Sequence, residues 1–330
     1  MHVVFRRQLL AFAFALSAFG SIAASSAAAE PKTIAIANFG EHPILNTIIE
    51  GFKSEILASG MVEGTDVVFT LDHINFDTTL IPQMIAKIEA SKPALVLTIS
   101  TPVSQNFKNQ LDGKGIPMVF AAVTDPVAGG LVPAADRSGP SMTGVSDAVN
   151  VEGVLVFARK LLPNAKRLGV PFNPGEANDV ATVEQFKQHA AEYGFEIVEV
   201  GVDSPNDIQP RVAALASKVD VVYGLGSSLI QPAIAAVVAA TNEAKIPLIS
   251  NNTNMVDTGI IPAAVGVQYD KHGHMAGQIA VRILKGEAPS TIPPSYPTPE
   301  DQSIMISKKA MERIGITIPQ SLADCGCIVD

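Results

Sequence analysis

Small polar and acidic residues collect where a predicted strand ends and a helix begins. These junctions are residues 38–43, 100–102, 124–126, 144–147, 173–178, 226–228 and 251–252. In open parallel α/β sheets, ligands bind beyond the carboxyl ends of the strands, where helix N-termini present free N–H groups. Hydroxyl and N–H groups suit a carboxylate, and acidic side chains suit an ammonium group. The acidic candidates are Glu41, Asp125, Asp147 and Glu176, and the side chains that could pack on an apolar part of a ligand are Phe39, His42, Phe172 and Tyr269.

Each junction also has a purely structural interpretation. Ser, Thr, Asp and Asn are the usual helix N-caps, and Asp-Pro or Asn-Pro pairs are ordinary turns. Thr101, for example, can cap a helix whose first position is Pro102. For any single junction, capping alone is the better interpretation. The predicted convergence of the junctions at one edge of both sheets is what supports a binding role.

An enzyme is the less favoured alternative. His42 lies beside a proline without a second histidine at ligand spacing, which favours a pocket-wall or capping role. His272 and His274 are two residues apart and do not share a helical face. A secreted hydrolase would need His42 within hydrogen-bond reach of Asp125 or Ser227. The sequence contains no nucleophile-elbow, phosphate-loop or metalloprotease motif, so we predict no catalysis, no metal site and no cofactor.

Predicted strands and amphipathic helices alternate along the chain, which is typical of parallel α/β sheets. The predicted strands span 33–39, 67–71, 94–99, 117–122, 167–172, 196–200, 219–224, 247–250, 263–267 and 303–306. Residues 142–145 are interpreted as a segment that crosses between the two halves. The predicted fold class is α/β, with two Rossmann-like lobes whose parallel sheets are joined by a multi-strand hinge. Such a hinge implies closure around a ligand.

The chain is expected to return to the first lobe before it finishes in the second. The N-terminal lobe is predicted to comprise 30–145 plus about 269–298, the C-terminal lobe 146–268 plus about 299–323, and the tail 324–330. In the tail, Cys325 and Cys327 could form a small loop, a redox pair or part of a metal site. We expect a tail feature without a catalytic role, because nothing nearby in the sequence supplies further ligands.

The first 29 residues predict export to the periplasm. Arg6 and Arg7 precede an apolar stretch of about a dozen residues, which is shorter than the ~20 that span a membrane. Small residues up to Ala29 fit cleavage there by signal peptidase, and no cysteine follows that would carry a lipid anchor. The formal net charge of −9 argues against nucleic acids and anionic membranes as partners.

The junctions also carry a family likeness. The motifs are EHP at 41–43, AVTDPV at 122–127, TGVSD at 143–147, LLPNAK at 161–166, NPGEAN at 173–178 and NEAKIP at 242–247. In this order they resemble the ABC-transporter substrate-binding proteins of the tryptophan/tyrosine-binding group, which have the type I periplasmic binding fold. The resemblance runs from about residue 33 to 316. It implies a protein without catalytic activity that delivers a small-molecule ligand to an ABC permease in the inner membrane. We also expect a monomer.

The resemblance implies pocket positions at Glu41, His42, Ser100, Thr101, Asp125, Ser146, Asp147, Asn173, Glu176 and Asn178. With the residues named from the junctions alone, the predicted site also includes Phe39, Phe172, Ser227 and Asn251. Two positions depart from the family, because Ser227 and Asn251 stand where relatives often carry a residue that grips an α-ammonium group. The expected ligand is an amino acid, aromatic or otherwise, or a small carboxylate. A ligand-sensing role that presents a metabolite to a membrane sensor kinase is the alternative.

Overall fold

Two separate β-sheets organise the part of the chain that the structure describes. That structure is a computed structural model, and it describes residues 30–330. The predicted leader, residues 1–29, lies outside the described residues. Within residues 30–330, no helix has both the length and the apolar character that crossing a membrane requires.

The first sheet contains five parallel strands in the order β2-β1-β3-β4-β5. The strands are β1 (Lys32–Asn38), β2 (Val67–His73), β3 (Leu95–Ile99), β4 (Met118–Val123) and β5 (Met142–Ser146). The helices between them are α1 (Pro43–Ala58), α2 (Ile81–Ala90) and α3 (Thr101–Leu111). Every residue of β3 is buried, as expected for a central parallel strand with helices on both faces. We call this sheet and its helices the first lobe.

The second sheet contains seven strands in the order β12-β11-β10-β9-β8-β6-β7. The strands are β6 (Arg167–Phe172), β7 (Glu196–Gly201), β8 (Val221–Gly224), β9 (Leu248–Ser250), β10 (Ala263–Val267), β11 (Gln302–Ser307) and β12 (Ile328–Val329). Its pairs are parallel except for β10 with β11. The helices are α4 (Val151–Leu161), α5 (Ala177–His189), α6 (Ile208–Ala216), α7 (Ile234–Ala244), α8 (Thr253–Asp257), α9 (Tyr269–Leu284) and α10 (Lys308–Arg313). This sheet defines the second lobe, which confirms the predicted fold class of two α/β lobes.

The chain passes between the two sheets three times. It leaves the first sheet after β5, and it returns after β10 through α9, which packs on α1 of the first lobe. Gly273 of α9 makes that packing close, because a Cβ there would lie 2.4 Å from the carbonyl oxygen of Ile48. The proline-rich segment then leads from Ser295, which bridges to Val145, into β11. The lobe boundaries at single residues stay a prediction.

One sequence interpretation differs from the structure. Residues 142–145 were predicted to cross between the lobes, but they form the edge strand β5 of the first sheet. Gly144 explains the difference, since a Cβ at this position would lie 2.2 Å from the carbonyl oxygen of Phe120. Without a side chain the segment pairs tightly with β4, so the crossing begins only after Ser146.

Candidate functional site

A cavity lies between the two lobes, where the carboxyl ends of β1, β3, β4, β5, β8, β9 and β10 meet. Its lining residues are Phe39, His42, Ile44, Leu45, Phe76, Ser100, Ala122, Asp147, Gly226, Ser227, Ser228, Gln231, Pro232, Asn251 and Tyr269. The empty space between them is about 480 Å³, part of it open to solvent. We call this space the inner cavity.

The inner cavity continues into a wider opening, which we call the outer cleft. Its empty volume, including open solvent, is about 1410 Å³. Asn173, Glu176 and Asn178 form the second-lobe wall, and the first lobe supplies Gln105 and Asn106. Of the predicted site residues, Phe39, His42, Ser100, Asp147, Ser227 and Asn251 therefore line the inner cavity, and the three second-lobe residues line only the outer cleft.

Asp147 is the acidic residue of the inner cavity. It directly follows β5 and is 5% exposed. Its Oδ2 accepts a hydrogen bond from the Tyr269 hydroxyl at 3.5 Å, whereas Oδ1 accepts none from residues 30–330. Burial raises the pKa of Asp147 to about 6, against hydrogen bonds from Thr124 and Tyr269 that lower it. The carboxylate is thus ionised at neutral pH in a place where a buried charge needs a partner.

Ser100 brings an uncommitted hydroxyl to the same cavity. It joins β3 to α3 with φ of 85°, in the left-handed region that non-glycine residues avoid. The residue is 6% exposed, and its Oγ has no hydrogen-bond partner in the described part of the chain. Ala122, which also lines the cavity, has φ of 52°. Backbone strain of this kind clusters at ligand sites, because the surrounding fold must hold it in place.

The first lobe supplies an apolar wall. Phe39 and Phe76 pack edge to face, with ring centroids 5.5 Å apart. His42 lies beside them at the N-cap of α1, where its Nδ1 accepts the backbone N–H of Ile44 at 3.3 Å. Burial lowers the pKa of His42, so the ring is neutral at pH 7. With Nδ1 acting as acceptor, the proton lies on Nε2, which is a donor for the cavity.

The second lobe closes the cavity with side chains that are already hydrogen-bonded. Ser227 Oγ accepts the N–H of Ile230 at 3.3 Å. Asn251 uses both ends of its amide, because Oδ1 accepts from Gln231 at 3.1 Å and Nδ2 donates to the Tyr269 hydroxyl at 3.0 Å. The Asn251 side chain therefore holds its neighbours in place.

The outer cleft contains an acid of a different kind. Glu176, at the N-cap of α5, accepts the backbone N–H groups of Ser228 and Leu229, each at 3.0 Å. It also accepts the side-chain N–H of Asn173 at 3.0 Å. Behind it, burial and the nearby Glu176 charge raise the pKa of Asp179. Glu176 thus ties two loops of the second lobe together.

Two predicted acids lie away from both cavities. Glu41 is exposed, and its nearest polar contacts are Asn46 at 3.4 Å and His73 at 3.9 Å. Asp125 Oδ1 accepts the backbone N–H groups of Val127 and Ala128, at 3.0 and 2.9 Å. The capping interpretation accounts for Asp125.

Three further predicted residues are packed inside the lobes. Thr101 is 3% exposed and does not line either cavity. Ser146 Oγ donates to the carbonyl oxygen of Thr124 at 2.8 Å, within the turn after β5. Phe172 packs against the core of the second lobe. These side chains support the junctions rather than line the cavity.

Sequence reasoning missed the contributions of three residues. The sequence predicts Tyr269 only as an apolar packing residue, but its hydroxyl bridges Asn251 and Asp147. Phe76 and Gln231 are not among the predicted site residues. Tyr269 follows β10 as the other candidates follow their strands, so the junction rule could have found it. Phe76, in the loop after β2, and Gln231, five residues after Gly226, carry no such signal.

The hydrolase alternative lacks its required contacts. Each candidate group is engaged locally, since His42 and Ser227 cap backbone N–H groups and Asp125 closes a turn. No hydrogen bond joins any two of the three in the described part of the chain. Between residues 30 and 330, His, Cys, Asp and Glu side chains form no group of three that could hold a metal ion. Cys325 and Cys327 are joined as a disulfide in the tail.

Comparison with known proteins places this architecture in a family. Residues 33–326 match the family model described as ABC transporter substrate binding protein. A protein of Clostridioides difficile (strain R20291) named tyrosine-binding protein is 30% identical over 283 residues, which are 86% of this chain and 81% of that protein.

Two solved structures extend the match to three dimensions. The ABC domain from Streptococcus pneumonia in complex with L-Trp is 28% identical, with a TM-score of 0.85 over 91% of this chain and all of that chain. A ligand-free, open substrate-binding protein with adhesive properties from Clostridium difficile is 29% identical, with a TM-score of 0.69 over 91% of this chain and 99% of that chain. The chain belongs to the family of ABC transporter substrate binding proteins.

Proposed function

We propose that this protein is the solute-binding component of an ABC importer and that it closes its two lobes on an amino acid. The observation that carries the proposal is Asp147. It places an ionised carboxylate with an uncommitted oxygen in a buried cavity that no lysine or arginine of the described chain lines. A ligand ammonium group supplies the missing positive charge.

The remaining groups of the inner cavity fit the rest of an amino acid. The Ser100 hydroxyl lies at the start of α3, where free backbone N–H groups of the first turn favour a carboxylate. Phe39 and Phe76 offer aromatic faces to an apolar or aromatic side chain. Together with the Asp147 carboxylate they favour an aromatic amino acid over a sugar, because an uncharged sugar brings no positive charge to Asp147.

The relatives support the same class of ligand and the closed arrangement. One relative is a tyrosine-binding protein, and another is known as a complex with L-Trp. The structure agrees better with that complex than with the open, ligand-free relative, at TM-scores of 0.85 and 0.69 and nearly equal identity. This difference supports lobe closure as the mode of binding.

The direct test is calorimetric titration of the purified protein with L-tryptophan and L-tyrosine. We expect saturable binding and a rise in melting temperature, since a ligand that binds only the folded state stabilises it. Asp147→Asn should weaken binding roughly 100-fold, because it removes the charged partner of a buried ammonium group. Asp136→Asn, at an exposed position, is the matched control and should bind normally. Equal binding by Asp147→Asn and the wild type would overturn the proposed role of Asp147.

Export, a monomeric state and delivery to a permease in the inner membrane complete the proposal. The leader sequence and the family support them. Cell fractionation should find a processed form that lacks about the first 29 residues. Purified protein should elute as a monomer and should stimulate uptake of labelled ligand by vesicles that contain the permease. Stimulation of a sensor kinase without uptake would favour the sensing alternative.

A further inference from the structure

Four side chains of the inner cavity form a continuous chain of hydrogen bonds. Gln231 Nε2 donates to Asn251 Oδ1 at 3.1 Å, and Asn251 Nδ2 donates to the Tyr269 hydroxyl at 3.0 Å. The Tyr269 hydroxyl in turn donates to Asp147 Oδ2 at 3.5 Å. This series of hydrogen bonds starts at Gln231, in a short 3-10 helix of the second lobe (Gln231–Ala233). It ends at Asp147, where the polypeptide first crosses between the lobes. All four side chains are at least nine-tenths buried.

The donor and acceptor roles in this series of hydrogen bonds are set at its Gln231 end. Gln231 Nε2 also donates to the backbone carbonyl of Leu225, which can only accept. The amide of Gln231 therefore presents N–H to Asn251, and Asn251 must turn its carbonyl oxygen towards Gln231. The NH₂ group of Asn251 then faces Tyr269 and donates a hydrogen bond to the phenol oxygen. The Tyr269 hydroxyl therefore donates its proton to Asp147. In each of the three hydrogen bonds the donor lies on the side further from the carboxylate.

Burial opposes the ionised form of Asp147, and no lysine or arginine of residues 30–330 lines the cavity to offset it. Burial and the nearby Asp147 charge raise the pKa of the Tyr223 and Tyr269 phenols, so both phenols stay neutral. Burial lowers the pKa of His272, which packs against Tyr269, to about 4. Among the residues that the structure describes, the Thr124 side chain also lowers the pKa of Asp147 through a hydrogen bond. Hydrogen bonds are thus the means by which the fold keeps Asp147 charged.

We propose that Gln231, Asn251 and Tyr269 are positioning residues that orient Asp147 and hold it ionised, leaving its Oδ1 for the ammonium group of the ligand. The identity of the ligand in this assignment rests on the proposed function. The roles of Gln231, Asn251 and Tyr269 in the hydrogen-bond chain rest on the geometry alone. This assignment also gives a reason for the amide at position 251. An aspartate there has no N–H to donate, would accept the Tyr269 proton instead, and would add a second negative charge to the cavity.

The first experiment needs no ligand. Carboxyl-¹³C-labelled aspartate is followed by NMR across pH, and the Asp147 signal is assigned by its loss in Asp147→Asn. Tyr269→Phe removes a single oxygen and should raise the Asp147 midpoint by about one pH unit. Asn251→Asp should raise it further, and Gln231→Glu should raise it as well. Unchanged midpoints in folded Tyr269→Phe and Gln231→Glu would overturn the proposal, even if Asn251→Asp fails to fold.

Matched controls separate this effect from general perturbation. Tyr193→Phe removes a surface hydroxyl that donates to Glu152, and Asn254→Asp adds the same charge at an exposed position on α8. Neither should move the midpoint. A shift of equal size in the controls would show that the chain of hydrogen bonds is not its cause.

The second experiment measures binding of L-tryptophan and of N-acetyl-L-tryptophan as a function of pH. In Tyr269→Phe, L-tryptophan should bind roughly 10-fold more weakly at pH 7, with the pH midpoint of binding moved upwards. Binding of the acetylated probe, which has no ammonium group, should not change between the wild type and the variant. A merely structural role would weaken both probes equally and leave the midpoint in place. Failure of the wild type to bind L-tryptophan would count against the proposed ligand, while the NMR titration would still decide the hydrogen-bond chain.

Discussion

The inner cavity and the outer cleft each contain a buried acid, and the two acids differ in what surrounds them. Glu176 of the outer cleft accepts three hydrogen bonds from the second lobe. In Asp147 of the inner cavity, Oδ2 accepts a long hydrogen bond from Tyr269, and Oδ1 accepts none from the described residues. A carboxylate whose oxygens all accept hydrogen bonds from the protein stabilises the fold. A carboxylate with an oxygen that accepts none from the protein can accept one from a ligand.

The largest effect expected from this comparison concerns Asp147 and pH. Its folded pKa of about 6 lies above that of an unfolded aspartate. The folded state therefore binds the proton more tightly, so this contribution to stability is complete below pH 4 and is lost as the pH rises through 6. Asp147→Asn cannot lose a proton and should be more stable than the wild type at pH 7.5 by up to about 3 kcal/mol. Urea unfolding of both proteins at pH 4 and pH 7.5 measures the difference.

The gain in stability is expected for Asp147→Asn without ligand. The same variant should bind the ligand more weakly, because it lacks the charged partner of the ammonium group. Asp136→Asn should show neither change. A wild type as stable as Asp147→Asn at pH 7.5 would mean that the fold already satisfies the Asp147 charge, and the distinction between the two acids would not hold.

The opposite result is expected for Glu176. Glu176→Ala removes the acceptor of two backbone N–H groups, and leaving such groups unsatisfied should lower the free energy of unfolding by about 2 kcal/mol. Ligand affinity should change little, because Glu176 does not line the inner cavity. Chemical unfolding and calorimetric titration of the same sample test both halves. A variant of normal stability that no longer binds ligand would reverse the roles assigned to the two acids.

The smallest effect concerns Phe76, which lines both the inner cavity and the outer cleft. Phe76→Ala removes the edge-to-face partner of Phe39 and part of the apolar wall. Affinity for an aromatic amino acid should fall roughly 10-fold, as expected for the loss of one aromatic contact and its buried area. Leu80→Ala, at an exposed site four residues further on, is the control. Titration with L-alanine alongside L-tryptophan shows whether the loss depends on the aromatic ring of the ligand.

Asp125 and Asp147 show how far sequence reasoning reaches. Both follow a strand of the first sheet, and both belong to motifs of the family. In the structure Asp125 turns back to cap the N–H groups of Val127 and Ala128, whereas Asp147 is buried against Tyr269. Tyr269, whose hydroxyl donates to Asp147, lies 122 positions further along the chain, so local pattern could not separate the two.

Asn251 is a second residue whose role in the structure could not be identified from the sequence. From the sequence, an amide in place of an acid predicts weaker recognition of an amine. The structure places that amide between Gln231 and Tyr269, where its two ends pass hydrogen bonds towards Asp147. Whether a polar residue contacts the ligand or orients another residue depends on contacts between elements far apart in the chain.

The sequence by itself determined the alternation of strands and helices, the two α/β lobes and the junctions at which the candidate site was predicted. These follow from periodic burial and from the rule that parallel strands present their carboxyl ends at one edge. Only the tertiary structure decided which junction side chains enter the cavity and which close a turn. It also added Phe76 and Gln231 to the lining of the cavity and buried the Asp147 carboxylate there. The reason is that desolvation and hydrogen-bond saturation are properties of the packed neighbours of a residue, and those neighbours come from both lobes.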